Sequence, residues 1–105
     1  MSKAKVGVSM LYCLGEPFNR MVKRLGAMNT KYIEILDDGT CDLNKTRIAT
    51  LKEAAKSYSL EYSLHAPFAD INIASPVKPM LNASLKRLKQ SLQNASAMDA
   101  KLWVF

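Results

Sequence analysis

Cysteine, histidine and glycine are scarce in this sequence, and each scarcity removes a class of function. Only Cys13 and Cys41 occur, without a C-x-x-C pair or an adjacent histidine, so neither a zinc cluster nor a disulfide framework is signalled. A reducing cytoplasm is the compartment that fits. The single histidine, His65, is at most one ligand of a metal site. No run approaches the roughly 18 apolar residues of a membrane span. Residues 1–17 imitate a signal peptide, with polar and basic residues ahead of an apolar stretch. They carry no small-x-small cleavage site, however, and are read as leading into a first strand. A dinucleotide-binding turn, G-x-G-x-x-G, is missing after that strand, where the chain runs Tyr12-Cys13-Leu14-Gly15-Glu16-Pro17.

Acidic residues are also the minority, 9 against 15 Lys and Arg, for a formal charge of +6. Such a balance can attract phosphates, nucleic acid or anionic surfaces. The plainer explanation is a solvated helix face, because Lys78, Lys86, Arg87 and Lys89 stand at helical spacing.

What is present is periodicity. The 105 residues, 49% apolar, suit one compact α/β domain spanning 1–105. Residues 5–11 read as a buried strand with β-branched residues at alternate positions. Pro17 then suits the first position of a helix whose inner stripe is Phe18, Met21, Val22 and Leu25, and Gly26 lies near its end. A second strand, 31–36, stops at the turn Asp37-Asp38-Gly39. Asp42 or Asn44 can cap the next helix, with Ile48, Leu51, Ala55 and Tyr58 inward. Strand three, 60–65, ends at His65-Ala66-Pro67 and opens an aperiodic loop from Phe68 to Val77. A long helix from about Lys78 carries Leu81, Leu85, Leu88, Leu92 and Ala95 as its stripe, and residues 101–105 form strand four. The methionines and Trp103 are assigned to the core.

The order β-α-β-α-β-α-β is that of repeated right-handed crossovers and a parallel sheet. Of the two parallel architectures, the barrel is favoured, because the polar groups gather where its catalytic face lies, at the carboxyl ends of the strands. Glu34 stands inside strand two, His65 ends strand three, and Asp70 and Asn72 occupy the following loop.

Taken together, Val6-Gly7-Val8-Ser9, Tyr32-Ile33-Glu34-Ile35, His65-Ala66-Pro67-Phe68 and the segment Asp70 to Pro76 resemble the sugar-phosphate isomerase/epimerase and apurinic-endonuclease group of the xylose-isomerase-like TIM barrels. The resemblance spans essentially the whole chain. It implies the N-terminal half of a (β/α)8 barrel that uses a divalent metal (Zn, Mn or Mg), with sugars, sugar phosphates or abasic DNA as substrates. In that family most metal ligands come from the second half of the barrel. The resemblance therefore also implies that this chain alone is inactive, either as a truncation or as a half-barrel that pairs with a second copy to close four plus four strands.

Each candidate residue carries a functional and a structural reading. His65 can be a metal ligand or a substrate contact, or a hydrogen-bonded brace for the loop at Pro67. Glu34, between apolar neighbours, should point into the barrel mouth as a proton carrier or substrate contact; the alternative is a carboxylate tied to backbone or a lysine. Asp70 and Asn72 can bind sugar hydroxyls or stabilise their own turn. Asp37 and Asp38 are read as turn residues. The expected activity of the complete protein is metal-dependent sugar isomerisation or epimerisation. A DNA-repair activity and a non-catalytic, self-associating half-barrel are the alternatives, and no membrane partner is expected.

Overall fold

A computed structural model describes residues 4–105; the expectations placed on Met1, Ser2 and Lys3 lie outside the described residues. Four parallel strands, β1 (Val8–Ser9), β2 (Tyr32–Leu36), β3 (Glu61–His65) and β4 (Trp103–Val104), lie in sequence order in one sheet. Helices α1 (Phe18–Leu25), α2 (Lys45–Tyr58) and α3 (Lys78–Ala97) fill the three crossovers. This is half of a (β/α)8 barrel. Consecutive strands side by side, with one helix per crossover, are the repeat of that barrel.

Strand periodicity of two divides the sheet into two faces. Ile33 and Ile35 of β2 and Tyr62 and Leu64 of β3 turn towards the helices and are buried there with Met21, Leu25, Leu51 and Met98. The opposite face carries Tyr32 and Glu34 of β2, with Glu61, Ser63 and His65 of β3. It is the concave side that lines a barrel lumen. Register places Ser9 beside Glu34, Glu34 beside Ser63, and Leu36 beside His65, so the polar groups form a row across three strands.

β1 is shorter than residues 5–11. After Ser9 the chain tightens into a 3-10 turn, Met10–Cys13, because the Ser9 hydroxyl accepts the Leu11 N–H and caps it. β4 is likewise confined to Trp103–Val104. Gly7 is required where β1 meets β2, since a Cβ there would lie 2.7 Å from the Tyr32 carbonyl oxygen. Pro17 caps α1 from just outside rather than occupying its first turn. Asn44, not Asp42, caps α2 by accepting the Arg47 N–H.

The helix stripes shift most. On α2, Ile48, Leu51 and Ala54 are buried while Tyr58 stays half exposed, its ring against Gly26. On α3, the residues facing the sheet are Ser84, Ser91 and Ala95, with Met98 capping the helix's end; Leu85 and Leu92 remain exposed at 42% and 51%. Small residues let α3 approach the sheet, and Ser91 gains a partner there, accepting the Trp103 Nε1–H at 3.0 Å. Arg87 also departs from the solvated face expected of it and turns inward, whereas Lys78, Lys86 and Lys89 remain exposed. Among the methionines, Met10, Met21 and Met98 are buried and Met28 packs on the core, but Met80 is exposed.

Tyr62 gives the core a titratable probe. Its hydroxyl donates to the Leu51 carbonyl oxygen at 2.7 Å, and burial pushes its pKa up to about 12. Because the folded-state value lies above the unfolded one, this contribution to stability is intact below pH 10 and is lost as pH rises towards 12. Tyr62→Phe should cost about 1 kcal/mol at neutral pH and flatten the alkaline fall in stability. Denaturant titrations from pH 8 to 11.5 would show both effects.

Candidate functional site

The loops after β1, β2 and β3 converge at the carboxyl ends of the strands, and two acidic side chains hold them there. Asp37, fully buried at the end of β2, accepts the Leu43 N–H at 2.8 Å, the Asn94 Nδ2–H at 3.1 Å and two bonds from the Arg87 guanidinium at 3.0 and 3.4 Å. Arg87 Nη2 also donates to the Asp37 carbonyl oxygen at 2.8 Å. This cluster fastens α3 and the start of the α2 segment to the tip of β2.

Asp38 reaches across to the loop after β3. Its Oδ2 accepts the Phe68 and Ala69 N–H groups at 2.9 and 3.0 Å, and its Oδ1 accepts that of Gly39 at 2.8 Å. Burial works against the charged form. The donors Ala69, Phe68 and Gly39, with the nearby Arg87 charge, outweigh it and hold the carboxyl below the usual aspartate range. The sequence reading of both residues as turn formers was therefore too local: Asp38 does form a turn at Gly39, but its second oxygen acts 30 residues away. A depressed carboxylate stabilises above its unfolded pKa and loses that contribution as pH falls through the folded value. Asp38→Ala should leave two loop N–H groups without their acceptor, speed proteolysis within residues 66–77, and remove the acid-side stability loss. Limited proteolysis at pH 7 and pH 4 tests this.

On the concave face, Glu34 is half-buried and its Oε1 accepts the Ser9 hydroxyl at 2.6 Å. Both line an open trough of about 690 Å³ with Ser63, Tyr32 and Glu61, flanked by Lys5 and Lys101. Glu34 thus points to the lumen, as expected from its apolar neighbours.

His65 lies one pleat nearer the carboxyl end, on the same face. Its Nδ1 is 2.6 Å from the Ala66 carbonyl oxygen, which can only accept, so Nδ1 is the donor of that bond and Nε2 is the nitrogen outside it. Phe68 packs edge-on against the ring at 5.5 Å, and Pro67, Phe68, Ile71, Ile73 and Phe105 make an apolar hollow of about 210 Å³ beside it. The brace and the ligand readings are consequently not exclusive, because the bond to Ala66 occupies Nδ1 and not Nε2.

Asp70 and Asn72 lie apart from this pair. Asn72 Oδ1 accepts the Ala74 N–H at 3.0 Å, a local turn bond, while its backbone N–H donates to the Ser84 hydroxyl. Asp70 is exposed on a left-handed residue of the loop, φ +58°. Among the described residues no three His, Cys, Asp or Glu side chains converge. The residues described do not make up a ligand set for a divalent ion, although His65 meets the requirements of one ligand.

A further feature of this face is written in the sequence itself. The three loops, 10–17, 37–44 and 66–77, contain no Lys or Arg. The arginines nearest them are engaged in internal pairs: Arg24 with Glu16 at 2.9 Å, Arg47 with Asp42 at 3.0 Å, and Arg87 with Asp37. These loops at the carboxyl ends of the strands are acidic and apolar although the chain as a whole is basic. Among the described residues, no helix is long and apolar enough to cross a membrane.

Comparison with known proteins agrees with this geometry. A D-tagatose 3-epimerase-like protein of known crystal structure superposes on 97% of this chain with a TM-score of 0.88 at 27% identity, using 37% of its own length. Two uncharacterized proteins of Methanocaldococcus jannaschii match in sequence. MJ1311 is 29% identical over 100 residues, covering 95% of this chain and 34% of that protein; MJ1614 is 38% identical over 74 residues, covering 70% and 28%. The chain therefore spans about a third of the length of the relatives it matches. The model of the xylose isomerase-like TIM barrel family matches residues 22–105, and the chain belongs to that family.

Proposed function

We propose that this chain supplies the first half of the active site of a sugar isomerase or epimerase, with Glu34 and His65 as its working residues. The observation that carries the reading is their joint placement: a half-buried carboxylate and a singly tethered imidazole on one lumen face, below loops that bring no free cation. Sugar hydroxyls and carbonyls are neutral and need paired donors and acceptors rather than a basic surface. Glu34, primed by the Ser9 hydroxyl, is suited to hold or move a proton at a sugar carbon or oxygen. His65 Nε2 is suited to a substrate oxygen or to one position on a divalent ion, whose chemistry when bound would be to polarise a carbonyl. Asp70 and Asn72, in the loop after β3, are suited by their donors and acceptors to sugar hydroxyls. The likeness to a D-tagatose 3-epimerase-like protein supports the same class.

The lack of Lys and Arg in the three loops favours this reading over an abasic-DNA one, which needs phosphate contacts at that mouth and a steep salt dependence. The test is deuterium uptake from D2O into a panel of ketoses and ketose phosphates with Mn²⁺ present. It should be run on the chain alone and on the chain joined to closing strands. Exchange confined to the joined form supports the proposal. Efficient exchange by the 105-residue chain alone would contradict it, and so would tight, salt-sensitive binding to abasic duplex without any sugar exchange.

A further inference from the structure

His65 closes β3, and the chain leaves the sheet immediately after it, so strand pairing fixes its backbone but not the direction of its ring. The backbone is well held, since the His65 carbonyl oxygen accepts the Asp37 N–H at 3.0 Å. Two neighbours bear on the ring. Its Nδ1 donates to the Ala66 carbonyl oxygen at 2.6 Å, and the Phe68 ring stands edge-on to it, with 79° between planes and 5.5 Å between centroids. Both neighbours belong to residues 66–69, which form neither strand nor helix.

That segment is held from outside by Asp38, a side chain only 8% exposed. Its Oδ2 accepts two consecutive N–H groups, that of Phe68 at 2.9 Å and that of Ala69 at 3.0 Å, while Oδ1 is anchored on the Gly39 N–H at 2.8 Å. The two N–H groups belong to the peptides on either side of the Phe68 Cα, so holding both sets the direction in which that side chain leaves the backbone. Pro67, with its locked φ, removes further freedom just before it. The Phe68 side chain is half exposed, so burial alone does not aim it, and the bond from the Ile71 N–H to the Phe68 carbonyl oxygen is long, at 3.4 Å, and stays within the loop.

We infer that Asp38 is a positioning residue for His65 and acts through Phe68. The carboxylate at the tip of β2 sets the Phe68 ring, and the edge of that ring keeps the imidazole turned so that Nδ1 meets Ala66 and Nε2 lies outside that bond. An edge-to-face aromatic pair biases two ring arrangements by about two- to tenfold. The inference rests on the proposed sugar chemistry only for its consequence, a correctly aimed His65; the orientation itself can be read without any substrate.

Long-range proton–nitrogen NMR spectra of the ¹⁵N-histidine-labelled chain show which ring nitrogen carries hydrogen, and about pH 8.5 keeps an ordinary imidazole neutral. The Nδ1–H form should dominate in the unaltered chain. Asp38→Ala and Phe68→Ala should each raise the ratio of the Nε2–H to the Nδ1–H form by about two- to tenfold. The double variant should do no more than the larger single change, because the two side chains act in one line. Phe68→Tyr retains the ring and should retain the ratio, and Tyr62→Phe, which weakens the core on the other face of β3, should leave it unmoved. Phe68 is half exposed, so its variants keep the test decisive even where Asp38→Ala does not fold. A dominant Nε2–H form in the unaltered chain, a ratio indifferent to Phe68→Ala, or one that Tyr62→Phe moves equally would overturn the inference. A ratio that responds as expected while deuterium exchange into sugars stays unchanged would uphold the positioning and count only against the role of His65 in the proposed reaction.

Discussion

Asp37→Ala should lower the free energy of unfolding by about 3–5 kcal/mol, the range for breaking a buried ion pair from one side. The side chain is fully buried and takes four hydrogen bonds, so its loss leaves the Leu43 N–H, the Asn94 amide and the Arg87 guanidinium without their acceptor. Arg87 keeps its bond to the Asp37 carbonyl and is 28% exposed, which places the effect towards the lower end of that range. Against a typical total of about 5–15 kcal/mol, such a loss is a large fraction of the whole. Denaturant melts should show the midpoint falling with an unchanged slope. Arg87→Met should also destabilise, and the double variant should be less harmful than the sum, since neither uncompensated charge then remains. Additive losses would mean that the cluster does not act as a unit.

The second large effect concerns chemistry. In an assembly that exchanges deuterium into a sugar, Glu34→Gln should reduce the rate by about 10²–10⁴-fold, the usual contribution of a positioned acid or base. Glutamine preserves the shape and can still accept the Ser9 hydroxyl, so folding and sugar binding should change little. Ser9→Ala should produce a smaller loss and shift the pH profile, because Ser9 acts through Glu34 and not on the sugar. If the assembly binds a divalent ion through His65, His65→Gln should weaken that binding without disturbing the loop as much as Asp38→Ala does. An unchanged rate in Glu34→Gln would return this carboxylate to a structural role.

How much of this was legible beforehand follows from the range of the interactions involved. Glu34 and His65 could be assigned to one face because strand periodicity is local and needs only the alternation of a few residues. The Asx bond of Asn72 could be anticipated for the same reason. The roles of Asp37, Asp38 and Arg87 could not, because their distant partners lie 30 to 57 residues away and no spacing rule connects them. The stripe of α3 was misread for a related reason. Leucine periodicity reports an apolar face, but it does not say whether that face meets the sheet or lies beside it. Here the smaller Ser84, Ser91 and Ala95 allow the closer approach.

The sequence by itself determined the order of elements, the parallel sheet and the family, since these rest on apolar period, on turn residues and on a few short motifs read in order. Only the tertiary structure decided which charges are engaged. It shows that Arg24, Arg47 and Arg87 of a chain with a net charge of +6 are tied up in internal pairs beside the loops, and that the Nδ1 of its lone histidine is bound to the Ala66 carbonyl oxygen. The physical reason is that hydrophobic patterning acts over neighbouring turns, whereas ion pairs and hydrogen bonds depend on where separate segments come to rest.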